Sequence, residues 1–254
     1  MKKTALITGA TSGLGYEFVQ LLAKDQYDLI VVARNEEQLV KIQAKFPKVN
    51  VTSIAKDLSK TNAVKELVAE ISEKQLHVDV LINNAGFGLL GKFDELNVAK
   101  QLEMIQLNIT ALTELTHAFL PEMKKQNSGK IMNVASTAAF QPGPMMAVYY
   151  ATKAYVLSFS EALVEELAGT GVTVTTLCPG ATKTNFGAVA NVEQTKMFSK
   201  AMDASTVAVI GYQGMQQGKR VVITGSSNKV VAVAAKFLPR SATAKIAKYV
   251  AGDK

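Results

Sequence analysis

The stretch TALITGATSGLGYEFVQLLAK, residues 4–24, sets a short β-branched run directly before a glycine-rich turn and a helical pattern. Gly9, Gly13 and Gly15 are spaced G-x-x-x-G-x-G, which differs from the G-x-G-x-x-G of the common dinucleotide fingerprint. The physics is similar. Glycines let the chain turn tightly and approach a pyrophosphate, and the start of the following helix offers free N–H groups and a positive dipole end. Taken alone, such a loop is equally a plain strand-to-helix turn.

Outward from this turn, short Val/Ile-rich runs alternate with longer helical patterns. Strands are predicted at 4–8, 28–33, 49–55, 78–83, 130–135, 172–177 and 220–224, with helices near 14–24, 35–46, 60–75, 97–126, 149–168 and 203–217 and a last one after 227. Nearly continuous apolar strands are typical of a parallel sheet covered on both faces, and the alternation makes βαβ units. The expected fold is α/β: a Rossmann-like, doubly wound, mainly parallel seven-stranded sheet with helices on both faces. No linker, repeat or low-complexity tract divides residues 1–254, so one domain is expected. Ligands in such sheets bind beyond the C-terminal strand ends, where the strand order reverses.

The strand ends carry a distinctive set. Twenty residues beyond Gly13 stands Ala33, then Arg34, where an acid would bind the ribose of NAD and an arginine accommodates the 2′-phosphate of NADP. Asp57 and Leu58 end the third strand, and NNAG, Asn83 to Gly86, ends the fourth. Asn108 falls inside a long helical pattern, where Asn competes for backbone hydrogen bonds; it is either tolerated or holds a local distortion that binds water. Ser136 closes the fifth strand and PGATKT, Pro179 to Thr184, the sixth. In VYYATKA, Val148 to Ala154, both Tyr149 and Tyr150 can share a helical face with Lys153, and helix geometry leaves the choice open.

Composition narrows the function classes. With 48% hydrophobic and 19% charged residues the chain reads as a soluble globular protein, and no apolar run approaches the roughly 20 residues of a membrane helix. The N-terminus lacks a signal-peptide core, and a cytoplasmic location is expected. One cysteine, Cys178, rules out an internal disulfide and, with only His77 and His117, argues against a metal site. No G-x-S-x-G elbow supports hydrolase chemistry. Residues 218–254 carry eight Lys/Arg against one Asp, which is the whole +7 excess of the chain. Without interleaved aromatics or a helix-turn-helix pattern, this basicity does not indicate a nucleic-acid partner.

TGATSGLG, NNAG, Asn108, Ser136, Tyr149-x-x-x-Lys153 and the Pro179-Gly180 motif stand in the order and spacing of the short-chain dehydrogenase/reductase family, which the chain resembles from residue 4 to about 226. The resemblance selects Tyr149 over Tyr150, leaving Tyr150 as a packing residue. It implies that Tyr149 exchanges a proton with a carbonyl oxygen, that Ser136 holds that oxygen, and that Lys153 binds the nicotinamide ribose. Asn108 would anchor a water relaying protons to Lys153, and Thr184 would hold the carboxamide. The implied cofactor-binding set is Gly9, Thr11, Ser12, Gly13, Leu14, Gly15, Arg34, Asp57, Leu58, Asn84, Ala85, Gly86, Tyr149, Lys153, Pro179, Gly180, Thr182 and Thr184, with NADP(H) preferred over NAD(H). Lys153 as ammonium and the positive charge of oxidised nicotinamide are both expected to depress the Tyr149 phenol.

Phe87, Leu89, Leu90, Phe140, Met145, Met146 and Phe186 flank this site and suit an apolar carbonyl or alcohol substrate. Residues 185–200 are expected to form a lid. The alternative is a non-catalytic NADP(H)-sensing regulator or scaffold, which has no use for an intact proton donor. The basic C-terminal tail, residues 228–254, reads as two helical segments with Pro239 ending the first. Its apolar stripe is expected to be buried against the sheet or a neighbouring subunit of a homodimer or homotetramer; contact with an anionic membrane surface is the less favoured reading.

Overall fold

A computed structural model describes residues 2–193, 195–198 and 201–252. Residues Gln194, Ser199 and Lys200 of the expected lid, and Asp253 and Lys254 of the tail, lie outside the described residues.

The elements run β1 (Thr4–Thr8), α1 (Gly13–Lys24), β2 (Asp28–Ala33), α2 (Glu36–Lys45), β3 (Val51–Ala55), α3 (Ala63–Glu73) and β4 (Val80–Asn83). After these come α4 (Val98–Ile105), α5 (Leu112–Lys125), β5 (Gly129–Val134), α6 (Ala147–Glu166) and β6 (Val172–Cys178). The last part holds β7 (Thr182–Lys183), α7 (Phe186–Ala190), β8 (Met202–Asp203), α8 (Ala204–Gln216), β9 (Val221–Ile223), α9 (Ser226–Phe237) and α10 (Arg240–Ala251). Seven strands form one sheet in the order β3-β2-β1-β4-β5-β6-β9, and every pairing is parallel. The order reverses between β1 and β4.

Alternation along each strand divides the core. Ala5 and Ile7 of β1, with Leu29 and Val31 of β2, face Phe18 and Leu22 of α1 and Tyr212 and Met215 of α8. Leu6, Ile30 and Val32 point the other way, toward Leu67 of α3, Leu115 of α5 and Leu163 of α6. Both faces are dry because both are covered, and each fully buried Leu or Ile contributes about 1.5–3 kcal/mol of hydrophobic stabilisation.

Two differences from the sequence reading concern the site. The helix expected over 97–126 is interrupted: α4 passes through a π-helical turn, Gln106–Ala111, before α5 begins. Asn108 sits in that turn, so the local distortion is the alternative that the structure contains. The second difference is a small parallel pair, β7 with β8, which closes a loop beyond the sheet. Strands of two residues leave no periodicity to read.

Candidate active site

The turn after β1 and the turn after β4 are joined at the reversal point. Thr8 Oγ1 accepts from the backbone N–H of Asn84 and of Ala85, each at 3.0 Å, and Asn84 Nδ2 donates to the Thr8 carbonyl at 2.9 Å. Gly9 and Gly13 both have positive φ, 66° and 51°. A Cβ on Gly13 would stand 3.0 Å from the Thr184 side chain, and one on Gly15 would overlap the Gly9 carbonyl oxygen. Ser12 at the start of α1 makes no side-chain cap, and the first turn carries no acid. Uncapped N–H groups with no competing carboxylate, reached over glycines, fit a dinucleotide pyrophosphate.

A cavity of about 1030 Å³ runs along these strand ends. It is lined by Gly9, Thr11, Ser12, Gly13, Leu14, Arg34, Asp57, Leu58, Asn84, Ala85, Gly86, Ser136, Tyr149, Lys153, Pro179, Gly180, Thr182 and Thr184. Gly15 and Asn108 do not line it. Gly15 lies under the loop, where its missing side chain lets α1 pack on Gly9. Asn108 stands behind Gly86, whose added Cβ would be 2.9 Å from its Oδ1. Asn108 Nδ2 donates to the Phe87 carbonyl (3.0 Å) and to Thr152 Oγ1 (3.1 Å), while Oδ1 accepts from Phe87 N–H at 3.2 Å. The amide thus clips the post-β4 turn to α6.

Tyr149 and Lys153 share one face of α6 and are both buried. Tyr150 is buried beside them, edge-on to Tyr149 with ring centroids 6.1 Å apart, and fills the space over Gly143. A chain of buried amides and hydroxyls fixes α6 against the sheet. Asn83 Nδ2 donates to Asn133 Oδ1 at 2.9 Å, and Asn133 Nδ2 donates to Ser160 Oγ at 2.9 Å. Ser136 caps a 3₁₀ turn, Thr137–Phe140, by accepting from Ala138 N–H at 3.1 Å.

The electrostatics of the chain alone bear on one expectation. Burial pushes the Tyr149 phenol well above its ordinary value, and a hydrogen bond from Ser136 pulls it only partly back. Lys153 does not reverse this. Its Nζ donates to the Val134 carbonyl at 2.8 Å and stands 5.8 Å from the Tyr149 ring centroid. Burial also lowers Lys153 itself, to about 8. Desolvation penalises both charged forms here. At the far end, burial raises Asp57, but hydrogen bonds from Ser59 and the charges of Arg34 and Lys60 more than offset it, leaving the carboxyl below its usual range.

The lowered Lys153 value has a measurable consequence. Between about 8 and the ordinary 10.5 the unfolded chain binds a proton that the folded chain does not, so stability from this group rises with pH through that window. A Lys153→Met variant lacks this slope. Its stability relative to wild type is expected to be greatest below about pH 8 and to fall as pH approaches 10.5. Chemical denaturation on both sides of the window checks it; a constant difference would be incompatible with a lowered Lys153 pKa.

An apolar chamber adjoins Tyr149. Phe87, Leu89, Met146 and Phe186 line the cavity, whereas Leu90, Phe140 and Met145 do not. Leu90 packs behind the chamber with Met104 and Val192, Phe140 packs toward Val156 and Cys178, and Met145 occupies a positive-φ corner of the loop before α6. The Phe186 ring lies 5.4 Å from the Tyr149 ring, so α7 covers the tyrosine. The sequence reading missed part of the wall. Ser226, Asn228 and Val231 of α9 and Ile246, Ala247 and Val250 of α10 also line the cavity. The tail therefore belongs to the site, and Lys196 of the covering segment stacks on Tyr249 of α10 at 3.8 Å. Their spacing from the motifs carries no signal of this; α9 is brought in by packing, with Asn228 against Gly180 and the helix against the 3₁₀ turn Thr137–Phe140.

Cys178 is a free, buried thiol that burial pushes up to about 12. Among the described residues, no three His, Cys, Asp or Glu side chains gather as a metal site, and no helix is long and apolar enough to cross a membrane.

A parallel sheet reversing at β1 and β4, a glycine cradle at that point, and Ser, Tyr and Lys converging beside it define a dinucleotide-dependent oxidoreductase site. The chain belongs to the short-chain dehydrogenase family, whose model, described as short chain dehydrogenase, matches residues 3–195. It is 34% identical over 179 residues to an uncharacterized oxidoreductase of Staphylococcus epidermidis, covering 70% of this chain and 77% of that one. It is 35% identical over 180 residues to the ketoacyl reductase HetN of a Nostoc species, covering 70% of this chain and 63% of that one. Among solved structures, a short-chain dehydrogenase from Sphingobium yanoikuyae in complex with NADPH superposes with a TM-score of 0.83 at 29% identity, over 92% of this chain and 93% of that one.

Proposed function

We propose that this protein is an NADP(H)-dependent oxidoreductase that interconverts a carbonyl and a secondary alcohol on an apolar small molecule. The observation that carries the reading is the position of Tyr149, beside Ser136 and between the glycine cradle and the apolar chamber. The nicotinamide, when bound, supplies the hydride. Ser136 holds the carbonyl oxygen and Tyr149 donates the proton to it, and in the reverse direction the Tyr149 phenolate accepts the proton back. Lys153 orients the cofactor ribose and carries positive charge beside the phenol below about pH 8. Asn108 braces the turn carrying Gly86 and Phe87, next to which a relay water to Lys153 would be held.

The chamber lined by Phe87, Leu89, Met146 and Phe186 supports an apolar substrate, and the ketoacyl reductase among the relatives supports a carbonyl one. Residues 1–254 read as one domain. The single buried thiol suits a reducing, cytoplasmic compartment. The exposed Val98, Leu102 and Ile105 of α4 suit contact between copies in a homodimer or homotetramer. An NADPH-oxidation screen against ketones, aldehydes and acyl thioesters tests the activity. Tight NADPH binding with no turnover on any of them would favour the sensing alternative instead.

The NADP(H) preference rests on Arg34, which lines the cavity after β2 where Ala33 offers no carboxylate. Arg34 also faces Asp57, whose charge it shares until a phosphate arrives. Arg34→Leu is expected to weaken NADPH about ten-fold or more, the worth of a charge-assisted hydrogen bond to phosphate, with little change for NADH. Fluorescence titration with both cofactors decides it, and equal losses would remove Arg34 from the argument.

A further inference from the structure

The apolar stripe of the tail, expected to be buried against the sheet or a neighbouring subunit, is not covered by the sheet. Val230, Val233 and Phe237 follow at i, i+3 and i+7 along α9 and stand 68%, 53% and 84% exposed. Lys229 and Lys236 lie seven residues apart at the border of this stripe, and Arg240 follows at the head of α10, all three exposed. From residue 204 to residue 252 there is no Asp or Glu. An apolar stripe bordered by cations is the pattern of a helix that lies in a membrane interface.

A second copy of the chain fits this face poorly. An isologous contact presents the same patch twice, which sets cations against cations with no carboxylate on either helix to pair them. Anionic lipid headgroups supply the missing charge, and the acyl boundary accepts the phenyl ring. The same helices reach the cavity. Val231 and Ile246 line it while remaining 55% and 53% exposed, so it opens where α9 and α10 meet solvent.

We propose that α9 and the start of α10 dock the protein on an anionic lipid surface, with Phe237 entering the headgroup boundary and Lys229, Lys236 and Arg240 facing lipid phosphates. Docking brings the cavity mouth to the lipid, so an apolar substrate enters without crossing bulk water. That consequence rests on the substrate class proposed above, whereas lipid binding itself does not.

The test is co-sedimentation of the full chain with phosphatidylcholine vesicles, with and without about one third phosphatidylglycerol, at low and high salt. Binding is expected only to the anionic vesicles and only at low salt. Each cation near such a surface strengthens binding about five-fold, so Lys229→Gln with Lys236→Gln should weaken it roughly 25-fold. Phe237→Ser should weaken it at least about ten-fold. All three positions are exposed, and unchanged thermal melts verify that the variants fold. Light scattering on the same samples follows oligomeric size. The proposal is overturned by absent binding at low salt, by equal binding to neutral vesicles, by variants that bind like wild type, or by Phe237→Ser altering oligomeric size while vesicle binding persists.

Discussion

Tyr149→Phe is expected to lower kcat for carbonyl reduction by about 10²–10⁴-fold, the usual worth of a positioned proton donor. The substitution removes one oxygen and keeps the ring, so the contacts with Phe186 and Tyr150 survive. The fold and dinucleotide binding should therefore be intact, and the loss should appear in kcat with little change in cofactor affinity. Burial raises the Tyr149 phenol, so its hydroxyl stays protonated across the physiological range and is available as an acid. Tyr150→Phe is the matched control, because Tyr150 is equally buried and lies on the same helix. It should retain most activity. If the Tyr150 variant were the inactive one, Tyr149 would not be the donor.

The second large effect is expected at Gly15. A Cβ there would overlap the carbonyl oxygen of Gly9, which is backbone, and crowd the Asn84 amide, which is held by its hydrogen bonds to the Thr8 and Gly9 carbonyls. Gly15→Ala must push α1 away from the loop that it closes. The expected cost is about 2–4 kcal/mol of stability, the range of substitutions that force a well-packed site apart, together with most of the dinucleotide affinity. Gly169→Ala provides the contrast. Gly169 has φ 82° but nothing within 4 Å of an added Cβ, so only backbone strain of about 1–2 kcal/mol applies and cofactor binding should be unaffected. Urea denaturation and cofactor titration of both variants separate overlap from strain, and a Gly15→Ala variant no worse than Gly169→Ala would contradict the close packing of α1.

Much of this site was legible because its residues terminate strands. Gly9, Arg34, Asp57, Asn84 and Ser136 each follow an apolar run, and a parallel sheet carries all such ends to one edge. Strand bounds shifted by one or two residues, as in β3, which begins at Val51, because apolar runs extend past the last paired residue. The π-helical turn was legible only as an anomaly, since Asn108 marks a poor helix position without specifying the type of turn. The chain Asn83–Asn133–Ser160 was not legible. Its members are 50 and 27 residues apart, and each looks like an ordinary polar residue until the sheet brings them together. The tail was legible only as a pattern, for a related reason. Periodicity identifies an apolar face but does not say what covers it, and in α9 Val230, Val233 and Phe237 remain bare.

The all-parallel sheet also constrains how the chain reaches this state. No two paired strands are joined by a hairpin, so every pairing must wait for an intervening helix and a right-handed return. The central joint is the most delayed. Thr4 N–H donates to Asp79 Oδ2, and β1 pairs with β4, only after some 75 residues have been made, although β1 emerges first. During synthesis β1 to β3 therefore stand with an open edge at β1, whose middle residues Ala5, Leu6 and Ile7 are apolar. That intermediate is the point at which heat, rapid overexpression or a weakened β4 would divert the chain into aggregates, through the same strand whose C-terminal end later carries the glycine cradle.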